Sequence, residues 1–135
     1  MGKFTDLQNS VFSVFDRQTW KNENIKTVPM NFTASTIDGE FIRLSVIPSS
    51  TGLNTASVSG ILIIDIFTSA GIGPQRSNFI ADKLDAYLVG KSLEVRTGVI
   101  TQFSLSSLDF VGIDTDNKSL FRAKYTIPFN FFGVD

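Results

Sequence analysis

The chain is 135 residues long, the length of one domain, and 46 of those residues are Leu, Ile, Val or Phe. That share is well above the roughly 20% below which chains stay disordered, so this one folds. His and Cys are both absent, which excludes Ser-His-Asp and Cys-His nucleophiles, zinc sites built on imidazole or thiolate, and disulfide or CxxC chemistry. Twelve basic residues against thirteen acidic leave a net charge of −1, without the basic stripe of a nucleic-acid binder. The longest apolar run, Ile61 to Ile64, is too short to span a bilayer, and Met1-Gly2-Lys3-Phe4 leads into an amphipathic pattern. The expectation is a soluble protein made in the cytoplasm, with no membrane partner and no cofactor. Charged residues make up only 19% of the chain, against about 25% in an ordinary soluble domain. Self-association is the simplest way to cover such a surface.

Phe4, Leu7, Val11, Val14 and Phe15 recur at spacings of three and four, which predicts a helix from about Thr5 to Gln18. Residues 21–31 are polar and contain Pro29, and read as a surface connection. From Glu40 the period becomes two: Phe41, Arg43, Ser45 and Ile47 face one way, Ile42, Leu44 and Val46 the other, and Pro48 ends the strand. Ser49 to Ser57 has neither charge nor periodicity. It is expected to be a mobile loop that orders against a partner ring. Val58 to Thr68 is the most apolar segment and forms an antiparallel hairpin with 40–48.

Gly71 and Gly73 break that strand, Pro74 opens a helix to about Val89, and Gly90 caps it. Three strands follow, near 92–104, 107–114 and 119–131. In the last, Phe121, Ala123, Tyr125, Ile127, Phe129 and Phe131 face the core. The order α-β-β-α-β-β-β predicts a single α+β domain over 1–135. It has a mostly antiparallel sheet of about five strands with two helices packed on one face.

No constellation here carries chemistry. Gly71-Ile72-Gly73-Pro74-Gln75-Arg76-Ser77 fits neither a P-loop nor a dinucleotide fingerprint, so it reads as a strand-to-helix turn. Asp109, Asp114 and Asp116 lack an EF-hand pattern and read as turn residues. Asp65 stands in the apolar run with Ile61, Ile63 and Phe67, on the face the helices leave open. It is expected to pair with a neighbouring subunit, not to act as a base. Phe67 on that face, and the crowded Phe129, Phe131 and Phe132, point to a contact patch. The expected interface residues are Thr51, Gly52, Leu53, Asn54, Asp65, Phe67, Asp116 and Asn117.

Several segments in order resemble the tail terminator-like proteins of long-tailed bacteriophages. They are Val28-Pro29-Met30-Asn31-Phe32, Phe41 to Pro48 as a YxRxxVxP strand, Gly60 to Gly73 as GxxxxDxFT followed by two glycines, the xIADxL helix at Phe79 to Leu88, and Ile127-Pro128-Phe129. Ser69-Ala70 stands where that pattern has Pro, and Met30-Asn31 interrupts its Val-Pro-Phe. The resemblance implies a non-enzymatic virion protein that forms a ring, usually of six subunits, on the last ring of the tail tube. Such a ring ends tube polymerisation and meets the head-side connector. The partners it implies are the chain itself, the tail tube protein and the connector, first in the host cytoplasm and then in the virion tail. A neck connector or tail tube subunit is the neighbouring reading. A small ligand-binding or enzymatic α+β domain with Asp65 or Asp109 as base is the reading from another class.

Overall fold

The apolar run at 58–69 becomes the central strand of a seven-stranded sheet. The computed structural model describes residues 3–30, 39–51, 57–96, 98–115 and 118–133. In chain order they form α1 (Lys3–Phe15), α2 (Gln18–Lys21), β1 (Thr27–Pro29), β2 (Phe41–Thr51), β3 (Val58–Ser69), α3 (Gln75–Leu88), β4 (Ser92–Arg96), β5 (Val99–Phe103), β6 (Ser107–Ile113) and β7 (Leu120–Phe132). The strands lie in the order β1-β2-β3-β7-β5-β4, and β6 pairs with the first half of β7 beside β5. Every pairing is antiparallel except β1 with β2.

The α+β class and the packing of helices on one sheet face match the sequence expectation, but the strand count does not. Thr27–Pro29, expected as plain connection, adds a short parallel strand, and Lys26 C=O accepts from the Ile42 N–H at 2.8 Å. The segment 92–104 is two strands, because Gly98 takes φ +82° and turns the chain back on itself. The first helix stops at Phe15, and Arg17 is extended (φ −67°, ψ 144°) before a single further helical turn. β2 runs on to Thr51, past the expected stop at Pro48, through a bulge between Pro48 and Ser50.

One face of the sheet holds the main core. Ile42, Leu44 and Val46 lie with Leu62, Ile64 and Ile66, then Ala123, Tyr125, Ile127, Phe129 and Phe131. Leu7, Val11 and Val14 of α1 and Ile80, Leu84 and Leu88 of α3 close that face. Trp20 joins the helices: its ring meets Phe15 and Tyr87 edge-on, each at 5.1 Å. Its indole N–H donates to Thr27 Oγ1 at 3.0 Å, so the buried polar end of Trp20 is satisfied.

Candidate functional site

Strand alternation places Phe41 and Arg43 of β2, Asp65 and Phe67 of β3, and Arg122 of β7 on the sheet face opposite the helices. Phe41 lies across from Phe67, and Arg43 across from Asp65. Arg122 faces Phe67 from the other side, one diagonal step from Asp65. Asp65 is clamped between two guanidinium groups. Arg43 donates from Nε and Nη2 to Oδ2 at 3.3 and 3.0 Å, and Arg122 donates from Nε and Nη2 to Oδ1 at 3.0 and 2.8 Å. Beneath them Phe41 and Phe67 stack with centroids 4.4 Å apart. Both guanidiniums lie over the Phe67 ring, at 5.1 and 6.0 Å from its centroid. Phe41, Phe67 and Leu120 make a small second core, with Val28 of β1 against it.

This corrects the expected open face. The alternation holds, but Asp65 is 3% exposed and Phe67 0%. The two arginines, the stacked phenylalanine and Val28 of β1 cover this face. Neither residue is free to meet a second subunit. Thr51 closes β2 opposite Val58. Gly52, Leu53, Asn54, Asp116 and Asn117 lie outside the described residues.

Other residues behind the sequence resemblance are spread along β3 and the turn that follows it. Gly60 packs so close to β2 that a Cβ would overlap the Ile47 carbonyl oxygen and Pro48 Cα. Thr68 Oγ1 and Ser77 Oγ share a buried hydrogen bond of 3.2 Å, pinning the start of α3 to the end of β3. Gly71 and Gly73 take φ +89° and +83° in the turn between them. Arg122 was not among those residues; its outward position on β7 was legible, but its partner 57 residues away was not.

On the helical side Tyr125 O–H and Ser106 O–H both donate to Asp85 Oδ1 at 2.6 Å, tying α3 to β7 and to the segment before β6. Burial, and next the Asp85 hydrogen bond, push the Tyr125 phenol well above its ordinary range. Among the described residues no group of three or more acidic side chains is placed to hold a metal ion. Asp114 is buried and Asp109 exposed. Nor is any described helix long and apolar enough to cross a membrane.

Clefts open at the surface. One of about 370 Å³ lies between the end of α1 and β1, lined by Phe12, Phe15, Asp16, Thr27 and Pro29. Another of about 380 Å³ lies between the Gly71–Gly73 turn and Phe121. Phe110 of β6 sits beside Phe121, with ring centroids 6.0 Å apart.

No family description matches the sequence, and no curated protein matches it. Solved structures do share the fold. One, a protein without a descriptive name, aligns over 97% of this chain and 96% of its own, with a TM-score of 0.64 and 16% identity. Another belongs to the virion of a native gene transfer agent (GTA) particle and aligns over 98% of this chain and 92% of its own. Its TM-score is 0.53 and its identity 14%.

Proposed function

We propose that the chain is a structural protein of a virion, and within that class a tail terminator. Copies form a ring, of six subunits in the resembling family, that caps the tail tube, stops its polymerisation and meets the head-side connector. The observation that carries this reading is the near full-length likeness to a protein in the virion of a gene transfer agent particle. The family resemblance in the sequence supports the same class, and several of its residues have structural roles in the sheet. Phe41, Arg43, Asp65 and Phe67 lock β2 to β3, Gly60 lets β3 lie close against β2, and Thr68, Gly71 and Gly73 set the path into α3. The reading assigns the chain no catalytic step and no cofactor. Its partners are further copies of itself, the tube protein and the connector, in the host cytoplasm during assembly and in the tail of the finished particle.

The test is removal of the gene from the genome that encodes the chain, followed by electron microscopy of the particles. A terminator predicts overlong tails of unregulated length that fail to join heads. Tails of normal length with an empty junction indicate a neck connector, and a complete absence of tubes indicates a tube subunit.

A further inference from the structure

Sheet edges that meet water are guarded by shortness, charge or proline, because their unpaired N–H and C=O groups template further pairing. Two outer strands of this sheet are guarded. β1 is three residues long and ends on Pro29, and β4 is five residues long with Glu94 exposed. β6 is not guarded. It runs for seven residues along β7, pairs with no other strand among the described residues, and carries a single charge, Asp109. Phe110, Val111 and Ile113 are 50%, 56% and 53% exposed, and Val111 is the extra residue of a bulge between Phe110 and Gly112.

The opposite edge of the same sheet offers the counterpart. The α1–β1 cleft presents Phe12, Phe15 and Pro29, and Met30, the next residue, is 53% exposed. An adjoining cleft carries Lys21 and Lys26 as well as Asp16, giving Asp109 two cations to meet. β2, β3 and β7 separate β1 from β6, so no chain can bring its own β6 to its own cleft.

We infer that β6 of one copy docks into the α1–β1 cleft of the next, head to tail. This rests on the reading of the chain as a self-assembling virion subunit and assigns the surfaces that join it. Phe110, Val111 and Ile113 fill the apolar cleft and Asp109 approaches Lys21 and Lys26. Both features leave solvent together. A heterologous contact of this kind closes into a ring when the rotation per copy divides a full turn.

Two double variants at exposed positions test this by sedimentation: Phe110→Lys/Ile113→Lys on the strand and Pro29→Lys/Met30→Lys at the cleft, each checked for native circular dichroism. The wild-type chain is expected to grow in mass with concentration, and each variant alone to stay monomeric. An equimolar mixture of the two variants is expected to give a dimer and nothing larger, because one intact strand then meets one intact cleft. The inference is overturned if either variant assembles like wild type, if the cleft variant dimerises by itself through β6, if the mixture stays monomeric, or if the wild-type chain is monomeric at its highest soluble concentration. Detection of the chain in purified particles by mass spectrometry judges the virion reading separately. A chain present in particles whose variants still assemble refutes this interface alone.

Discussion

The two faces of the sheet solve the same burial problem with different materials. On the inner face, two helices lay leucine, isoleucine and valine against β2, β3 and β7, and the core closes chiefly on apolar side chains. On the outer face, no helix among the described residues covers the Phe41–Phe67 stack, and two arginines drawn in by one aspartate roof it over. A long cationic side chain can bury its apolar stem and keep its head wet, so it serves as a lid where a leucine would be left exposed. Alternation in a sequence therefore reveals which side chains share a face, but not whether that face is open.

The sharpest way to break this comparison is to remove the ion that holds the lid. Asp65→Ala removes the carboxylate shared by two guanidiniums beside a buried aromatic pair and is expected to cost about 3–5 kcal/mol, read from urea denaturation midpoints. A cost below 1 kcal/mol would make the outer face ordinary solvated surface. Phe67→Glu, harmless if that face were open, is expected to prevent folding altogether, which loss of near-ultraviolet circular dichroism would report. On the inner face Leu62→Ala is expected to cost about 2–5 kcal/mol through the cavity it leaves. Unlike Asp65→Ala, that loss should be independent of salt. Gly60→Ala, which forces β3 away from the β2 backbone, is expected to cost about 1–3 kcal/mol, measured in the same denaturation series.

The smallest effect tests the polar tie on the helical side. The Tyr125 phenol titrates higher in the folded chain than its unfolded value of about 10, because burial and Asp85 favour its neutral form. Above that unfolded value the folded state keeps a proton the unfolded state has released. Stability is therefore complete below about pH 10 and falls as pH rises beyond it. Tyr125→Phe is expected to cost about 1 kcal/mol at neutral pH and to flatten the alkaline decline. An unchanged decline would assign it to other groups.

Much of this architecture was legible because its signals are local. The periods of three to four in α1 and α3, the alternation of β2 and β7, and the glycine–proline turn into α3 all lie within single segments. What escaped notice had weak or distant signals. Thr27-Val28-Pro29 is too short to show a period and carries a proline. The turn at Gly98 lies inside a run that otherwise reads as one strand, with the glycine as the only cue. At the outer cluster, Asp65 was singled out correctly as the odd residue of its strand, but its partners stand 22 and 57 residues away. Only strand register brings them together. Nothing local marks β6 as exposed, because Phe110, Val111 and Ile113 read like core residues until the neighbouring strands are counted.

The central claim is that this chain caps a tail at its head end, and label position on intact particles tests it most directly. With an epitope tag on the chain, gold-labelled antibody on particles from the encoding genome is expected to mark one site per particle, at the junction of tail and head. Label spread along the tail, or particles that carry none, would contradict the account.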